Sequence, residues 1–374
     1  MPFDIVEVKS RKLLHTFIHL PAEIHATHPN WVPPIYLDDW TYFNPQKNRA
    51  FDNCNTVLLL AFRDHTCVGR CMGIISHEYN KEHHENHVRF AYMETWNDSE
   101  VFNGLIDYIA RWGAAFGMDT LVGPMGFSDK DPQGFLIEGF DKPVVIATNC
   151  NFPYMVDLVT GNGFIKKVDC VVYQIPIPEE IPAFYTLIAE RAKQQHKQLH
   201  LLEFTSRRKL KPFIRPIFNL INLTFVDIYG FVPFTEQEMN DFANRYLFLI
   251  NPRFVKIIVT ARDEVVAFVI AMDDISEGIR RSHGYLFPIG FIHLLRAAKK
   301  SNQLNLLLGA IHPRFQGLGL DVLMGMSLIA SAKKNGKTTI DSHLELEYNK
   351  KVRSEMEKMG GKVYKRFRIY QKAT

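Results

Sequence analysis

The sequence lacks the features of a membrane-spanning or exported protein. None of its apolar runs reaches the ~18 residues that a membrane-spanning helix needs, so we expect no transmembrane segment. Residues Met1–Asp4 do not begin a basic region followed by an apolar one, as a secretory leader would. The five cysteines show no metal-ligand spacing, which predicts no bound metal and fits a reducing compartment. We therefore expect a cytoplasmic protein.

A large net charge is also missing, but the two halves of the chain differ in sign. The formal net charge is +4. Residues 1–176 contain 14 Lys and Arg against 21 Asp and Glu, whereas residues 177–374 contain 30 against 19. An anionic ligand is therefore expected on the second half. The basic residues are not interleaved with exposed aromatic ones, so we expect no nucleic-acid partner. Neither composition nor charge indicates an oligomeric state.

Apolar residues, by contrast, are abundant enough for more than one core. Hydrophobic residues make up 47% of the chain and include 28 Phe. A length of 374 residues suits two domains of ordinary size. Near the midpoint, Pro176, Pro178 and Pro182 discourage regular structure. We therefore predict two domains, residues 1–176 and residues 177–374.

The two predicted domains have the same order of elements, which indicates a duplicated domain. Periodicity predicts strands at 56–62, 67–75, 88–93, 119–122 and 164–175, with helices at 101–116 and 153–161. The second domain repeats this order, with strands at 254–260, 265–272, 304–311, 338–346 and 362–371. One helix begins near Leu318 and ends at Gly336, and a second one carries Val352, Met356 and Met359 on one stripe and ends at Gly360. Alternation also places Cys67 and Cys71 on one strand face. The predicted fold is α+β in three α/β/α layers. It consists of two tandem domains, each a mixed, mostly antiparallel sheet flanked by helices.

The most specific motif is the glycine turn, residues 311–320, which leaves an apolar strand and leads into an amphipathic helix. Gly317 and Gly319 allow the backbone to approach a ligand closely and leave N–H groups free. The helix N-terminus adds positive character. The turn therefore suits a pyrophosphate. The alternative is a tight strand-to-helix connection with no ligand.

Here the sequence resembles the GNAT superfamily of acyl-CoA N-acyltransferases, whose signature reads hydrophobic-His-Pro-x-x-Gln/Arg-Gly-x-Gly. Gln316, Gly317 and Gly319 match it, and Asn349 followed by Gly360 resembles a later motif of that family. The resemblance covers residues 199–374 by motif and the first half by topology. It implies two tandem GNAT-like halves and a V-shaped opening between strands 304–311 and 338–346. It also implies a coenzyme A site, on acetyl-CoA or another acyl-CoA, formed by Ala310, Ile311, Gln316, Gly317, Leu318, Gly319 and Asn349.

The resemblance further implies direct attack of a primary amine, small or peptidyl, on the thioester, so the expected activity is N-acetyltransferase or a related N-acyltransferase. Glu345 and Glu347 are the candidate bases, with Glu347 favoured, although both also fit a solvated strand edge. Met356 stands where many members have a Tyr acid, and Tyr348 is a candidate replacement. Asp321 departs from the small residue usual after the second glycine and would repel phosphate if it pointed inward.

The first half carries carboxylates in place of the glycine turn. Glu94, Asp98 and Glu100 crowd the corresponding helix start, so we expect no cofactor there. The acidic loop 123–134 is either a series of turns or a wall of a substrate site that holds a cationic amine. Two alternatives to an acyl-CoA enzyme stay open. One is a Fem-type aminoacyl transferase that uses both halves, and the other is a non-catalytic binding protein.

Two segments rich in apolar and basic residues remain. Residues 209–234 are expected to form buried helices near the acceptor, and residues 287–300 an insertion that acts as a lid or an oligomer contact. The alternative for either is contact with a membrane surface or a lipid-like acyl chain.

Overall fold

The computed structural model describes residues 2–374, apart from the side chains of residues 244–246. The elements up to the midpoint are β1 (Asp4–Glu7), α1 (Arg11–Ile24), α2 (Tyr36–Tyr42), β2 (Cys54–Arg63), β3 (Thr66–Ser76), α3 (His77–His83), β4 (His87–Thr95), α4 (Ser99–Ala114), β5 (Thr120–Gly123), β6 (Phe135–Glu138), α5 (Tyr154–Gly161) and β7 (Ile165–Pro176). The second half contains α6 (Ala183–Gln195), β8 (Leu199–Glu203), α7 (Arg207–Leu210), α8 (Ile214–Thr224), α9 (Glu236–Tyr246), β9 (Val255–Thr260), β10 (Val265–Asp273), α10 (Ser276–Arg281), α11 (Gly290–Lys300), β11 (Gln303–Ile311), α12 (Leu320–Lys334), β12 (Thr339–Asp341), β13 (Glu345–Leu346), α13 (Lys350–Lys358) and β14 (Lys362–Ala373).

The strands of both halves join in one sheet. Its order is β1-β2-β3-β4-β5-β14-β7-β12-β11-β10-β9-β8, with β6 beside β14 and β13 beside β7. The pairs β4–β5 and β11–β12 are parallel, whereas the other pairs are antiparallel. The mixed, mostly antiparallel sheet is therefore confirmed. The two halves approach the centre of the sheet from opposite edges with the same strand order.

The closing strand of each half lies in the sheet of the other half. β14 pairs with β5 of the first half, with Tyr370 opposite Gly123. β7 pairs with β12 of the second half, with Ile175 opposite Ile340. β7 and β14 also pair with each other across most of their length. The proline-rich segment after β7 is thus a boundary along the chain, while the hydrogen bonds of the sheet run across it.

Helices cover both faces of the sheet and make the predicted three layers. In β2, the neighbouring residues Leu59 and Leu60 point to opposite faces, Leu59 toward α4 and Leu60 toward α1. In β9, Ile258 packs under α6 and α12, while Ile257 packs under α8. Residues 209–234 thus supply the predicted buried helix, because Ile217 of α8 lies in that core.

The prediction that Cys67 and Cys71 share a face is wrong. Cys67 lies in the core under α1, and Cys71 lies in the core under α4. The pairing of β2 with β3 shifts register between Ala61 and Phe62, which leaves Val68 as an extra residue in β3. A β-bulge of this kind reverses the alternation of side chains beyond it.

Candidate functional site

The glycine turn joins β11 to α12 with two residues in the left-handed region. Gly317 and Gly319 both have φ of 75°, a conformation that costs a residue with a Cβ about 1–2 kcal/mol. A Cβ on Gly317 would meet nothing within 4 Å, so the space above this residue is open. A Cβ on Gly319 would lie 3.0 Å from Ile188 Cγ2 of α6. Gly319 therefore permits close packing of α6, and Gly317 leaves the approach to the turn clear.

The turn presents a row of free backbone N–H groups. The first N–H of α12 with a helical partner is that of Leu323, which donates to Gly319 O at 3.0 Å. The N–H groups of residues 317–322 have no hydrogen-bond partner among the described residues. His312 and Gln316 shape the turn from within, because His312 Nδ1 accepts from the Arg314 N–H at 3.2 Å and Gln316 Nε2 donates to Ile311 O at 3.3 Å. Free amides at a helix N-terminus suit a phosphate-sized anion.

Beside this turn, β11 separates from its parallel neighbour. β11 and β12 pair only between Gln303–Asn305 and Thr339–Asp341. On the other side, β11 stays paired with β10 as far as Ile311, with Leu307 as an extra residue in a bulge. A bulge bends its strand. The edge of β11 from Leu306 to Ile311 is therefore unpaired, and the opening implied by the resemblance is present.

The other wall of the opening is not the continuous strand that alternation predicts. β12 ends at Asp341, and β13 starts again at Glu345 beside Val171 of β7. Between them, His343 has φ of 60° and its N–H donates to Asp341 Oδ1 at 2.7 Å. The prediction of one strand over 338–346 is therefore wrong, because a side chain captures a backbone donor that a strand would need.

A cavity of about 1910 Å³ extends from this opening through both halves. Ligand pockets commonly measure about 300–1,000 Å³, so this cavity has room for a large or composite ligand. Its part between α8, α9 and the sheet is here called the apolar chamber. The walls of the apolar chamber include Ile214, Ile217, Phe218, Ile221, Phe225, Phe231, Phe234, Phe268, Ile270, Leu306 and Leu308.

The two candidate bases lie in different surroundings. Glu345 lines the cavity, where burial raises the pKa of its carboxyl to about 8. Glu347 is not among the cavity-lining residues. It accepts from Lys166 Nζ at 2.6 Å and from Arg366, and the hydrogen bond from Lys166 lowers the pKa of Glu347. Glu345 can hold a proton near neutral pH inside the cavity, whereas Glu347 is committed to ion pairs.

The remaining residues expected at the site are distributed around the opening. Ala310, Ile311, Gln316, Gly317, Tyr348 and Asn349 line the cavity, while Leu318 and Gly319 are not among its lining residues. Asn349 also caps α13, because its Oδ1 accepts from the Val352 N–H at 3.4 Å. Met356 lines the cavity at the position where a tyrosine would be expected.

Asp321 is exposed in the first turn of α12 and lines the cavity mouth. Lysines surround it at this mouth: Lys350, Lys351 and Lys358. The pKa of Lys358 is raised, mainly by its hydrogen bond to Glu355 Oε1 at 2.8 Å and less by the carboxylate of Asp321. The cavity mouth therefore contains lysine side chains as well as the carboxylate of Asp321, which departs from the sequence motif.

The first half repeats the separated strands without the glycine turn. β4 pairs with β5 across His87–Arg89 alone, as β11 does with β12 across three residues. At the helix start, Asp98 Oδ1 accepts the N–H groups of Glu100 and Val101, each at 3.1 Å. Arg63 Nη1 donates to Asp98 Oδ2 at 2.5 Å. A carboxylate of the chain therefore occupies the anion position of α4, as the sequence predicts.

Charged and polar side chains line the cavity on this side. We call this group the first-half opening: Asp39, Arg70, Tyr92, Glu94, Asp129, Asp131 and Gln133. Burial raises the pKa of Asp39 to about 7 and that of Asp129 to about 6. Asp131 Oδ2 accepts from Tyr42 OH at 2.9 Å. Loop 123–134 thus lines the cavity, an alternative that the sequence left open.

Several polar atoms of the first-half opening lack partners. Arg70 Nε, Asp129 Oδ1 and Gln133 Oε1 are buried and have no hydrogen bond among the described residues. Lys130 does not neutralise these groups by direct contact, because its Nζ donates to Val232 O at 2.8 Å and lies 3.8 Å from the centre of the Phe234 ring. Buried polar atoms without partners cost free energy in the empty protein, so they are available to a polar ligand.

Comparisons with known proteins agree with this geometry. No family model matches the chain. A solved tandem GNAT protein from the clavulanic acid biosynthesis pathway superposes with a TM-score of 0.57 and 9% identity, covering 100% of this chain and 98% of that one. A GCN5-related N-acetyltransferase from Sphaerobacter thermophilus gives 0.52 with 10% identity, covering 99% and 95%. The chain has the tandem GNAT fold.

Two curated proteins are similar to this tandem GNAT chain in sequence. One is the Bacterial ceramide synthase of Caulobacter vibrioides, 27% identical over 390 aligned residues that cover all of both proteins. The other is Protein YghO of Escherichia coli, 23% identical over 366 residues that cover 96% of this chain and 92% of that one.

A cluster next to the first-half opening was missed in the sequence. His25, His28 and Cys150 each place one potential ligand atom within 4.8 Å of the others. His25 Nε2 lies 3.2 Å from Glu94 Oε2, and its ring stacks on Phe152. Burial raises the pKa of Cys150 to about 12, which keeps its thiol protonated at neutral pH. No spacing rule could find this group, because 122 residues separate Cys150 from His28.

We predict that Glu345 makes the tandem GNAT fold less stable in alkali. Its pKa is about 8 in the folded state and ~4.3 when unfolded, so the folded chain binds the extra proton between these values. This contribution is complete below pH ~4.3 and is lost as the pH rises through 8. The melting temperature should therefore fall from pH ~5 to pH ~8 and level off above pH ~8, and Glu345→Gln should flatten that fall. Glu347→Gln is the matched control. The pKa of Glu347 is lowered, so its contribution to stability is lost in acid. An identical change in the melting profiles of both variants would contradict the assignment to Glu345.

Proposed function

We propose that this protein is an acyl-CoA-dependent N-acyltransferase that transfers a long acyl chain to the amine of an amphiphilic acceptor. One observation carries this proposal: the unpaired edge of β11, the glycine turn and the apolar chamber line one continuous cavity. A site for acetyl transfer needs no such volume. A long-chain thioester, in contrast, must keep its hydrocarbon out of water while its nucleotide stays at the surface.

The second half supports the donor. Free N–H groups of residues 317–322 and the cations of α13 suit the pyrophosphate, and the open space above Gly317 lets it approach. The unpaired edge of β11 can pair with the amides of the pantetheine arm as a short added strand. The acyl chain then extends into the apolar chamber, whose walls Ile217, Phe218 and Leu308 are apolar.

The first half supports the acceptor. Its opening carries four carboxyl groups, those of Asp39, Glu94, Asp129 and Asp131, against the cations Arg70 and Lys130. This excess of acid favours a protonated amine, and the unpartnered Gln133 Oε1 can accept from an adjacent hydroxyl or ammonium group. The similarity to a protein named a ceramide synthase supports a long-chain acyl donor and an amine acceptor, since a ceramide is the amide of a fatty acid with a long-chain amine.

The chemistry needs one proton acceptor and no covalent intermediate. After the bound ammonium group has released one proton to water, the neutral amine attacks the thioester carbonyl, the C–N bond forms, the C–S bond breaks, and coenzyme A leaves as its thiol after gaining a proton. Glu345 is our choice for the group that takes the proton from nitrogen, because it lines the cavity with its pKa raised to about 8. Tyr348, also in the wall, is the candidate for returning a proton to sulfur.

The donor assignment predicts that Gly317→Ala weakens coenzyme A binding at least about tenfold, equivalent to about 1.4 kcal/mol. The added Cβ enters the space above the free amides. Gly336→Ala is a matched control at the other end of α12, since its φ is 73° and it also faces open space. Both variants should lose similar stability, about 1–2 kcal/mol. Calorimetric titration with coenzyme A and with a long-chain acyl-CoA measures the affinities, and equal affinities in the two variants would refute the donor site.

The base assignment predicts a rate that depends on the ionisation of Glu345. Because only the carboxylate can accept a proton, kcat should rise about tenfold per pH unit below 8 and level off above it. Glu345→Gln should lower kcat about 10²–10⁴-fold and remove this limb of the profile. Glu347→Gln should keep the limb. A Glu345→Gln enzyme with the wild-type profile would exclude this role.

The acceptor assignment predicts a change confined to the amine. Asp129→Asn keeps the shape of the side chain but removes a buried charge, so KM for a long-chain amine should rise about tenfold, with KM for acyl-CoA unchanged. Asp157→Asn, an exposed carboxyl on α5, serves as the control. Steady-state kinetics with each substrate varied in turn decides the question. A rise in both KM values would indicate damage to the fold instead of loss of an amine contact.

A Fem-type aminoacyl transferase is the second candidate, because the cavity runs through both halves as such a donor would require. The apolar walls beside β11 favour the acyl-CoA reading. A donor panel of acetyl-CoA, long-chain acyl-CoA and aminoacyl-tRNA separates the two.

A further inference from the structure

An exposed apolar surface lies outside the cavity, on the segment inserted between β10 and β11. Within eleven residues, six large apolar side chains are exposed: Tyr285 (53%), Phe287 (78%), Ile289 (60%), Phe291 (40%), Ile292 (46%) and Leu295 (50%). Phe248, which follows α9, lies beside Phe291 with ring centres 6.1 Å apart. We call these seven residues the apolar face. Single exposed apolar residues are ordinary, but a contiguous group of this size usually marks a site of contact.

The segment is anchored by its opposite side. Leu294 of α11 is buried with Ile279 of α10, with Ile275 just before that helix and with Met272 of β10. The short helix α11 therefore has apolar side chains on two sides, one side buried and the other exposed. The buried side packs within this chain, whereas the exposed side faces solvent.

Cations border the apolar face. α11 ends with Arg296, Lys299 and Lys300, which are exposed and have no carboxylate within salt-bridge distance among the described residues. The two carboxylates of the segment have other partners: Glu277 accepts from Arg280 and Arg281, and Asp274 accepts from Ser276. In a symmetric dimer the same patch of both copies would meet, so these cations would face the cations of the second copy and no carboxylate. An anionic surface satisfies them instead.

The apolar face is also connected to the cavity. Ile279 of α10 lines the cavity from the inside, together with Leu249 and Leu307, while the next turns of the same hairpin carry the exposed side chains. The helices α10 and α11 thus lie between this part of the cavity and the apolar face. A hydrocarbon chain at this surface lies close to the space where the proposed function needs it.

We infer that the apolar face is a membrane-docking surface that rests on an anionic bilayer, with Phe287, Ile289, Ile292 and Leu295 in the acyl boundary and Arg296, Lys299 and Lys300 at the phosphates. The apolar side chains supply burial, and the cations supply attraction to the lipid headgroups. Such docking places α10 and α11, which border the cavity, on the membrane that contains long-chain substrates.

The experiment is co-sedimentation of the full chain with vesicles of phosphatidylcholine alone and of phosphatidylcholine mixed with phosphatidylglycerol, without any acyl-CoA. We expect binding to the anionic vesicles that weakens with salt. Ile292→Ser combined with Leu295→Ser should reduce the partition coefficient at least about tenfold, because two buried apolar side chains are lost. Replacing Arg296, Lys299 and Lys300 by Gln should reduce it about fivefold per cation.

The matched control is Phe184→Ser combined with Leu187→Ser, since these α6 residues are 64% and 65% exposed and lie outside the apolar face. The control should bind vesicles like the wild type. Failure of the wild type to bind anionic vesicles overturns the inference, as does equal loss in control and test variants. A dimer in solution that depends on Ile292 and Leu295, without vesicle binding, also overturns it in favour of a second copy. Because no donor is present, these outcomes are independent of the proposed chemistry, and thermal melting checks that each variant folds.

Discussion

The site depends on the separation of β11 from β12 after Asn305. Up to that residue the two strands are paired, and beyond it the backbone of β11 has an open edge while β10 still supports it from the other side. The bulge at Leu307 and the turn at His343 bend the two walls apart. An unpaired edge is a liability in a protein unless something uses its hydrogen bonds. Here the edge ends at the free amides of the glycine turn, so one structural irregularity exposes both a strand edge and the N–H groups of a helix start.

The exchange of closing strands explains why the two halves act as one unit. β14 completes the sheet beside β5, and β7 completes it beside β12, so the wall of each opening contains backbone from the other half. Glu345 illustrates the consequence: it belongs to the second half but is positioned by pairing with Val171 of the first. A donor on one half and an acceptor on the other can then meet in a single cavity. The first half keeps the separated strands, and the carboxylate of Asp98 occupies its helix start.

Much of the fold was accessible from sequence. Apolar runs located the strands β2, β4, β9, β11 and β14, and a helical period of apolar residues located α4 and α12, each of which buries one face. The glycine turn was accessible for a different reason: at φ of 75°, Gly317 and Gly319 adopt a backbone conformation that few other residues tolerate. The break at His343 was not accessible, since it arises from a single side-chain hydrogen bond within a segment whose pattern alternates correctly. The bulge between Cys67 and Cys71 was not accessible either, because it is a shift in the pairing of β2 with β3 that the order of residues within β3 does not reveal.

The sequence by itself determined the local elements, their repeated order and the turn that can hold an anion, because all of these follow from residues close together in the chain. Tertiary structure alone decided which strands exchange, which acid faces the cavity and which residues 100 or more positions apart line it. The contrast between Glu345 and Glu347 shows the physical reason. Both are acidic residues two positions apart, yet Lys166 and Arg366, from distant strands, hold Glu347 as an ion pair and leave Glu345 to the desolvated interior. Burial and long-range pairing set the ionisation of a carboxyl group, and the residues next to it in the sequence reveal neither.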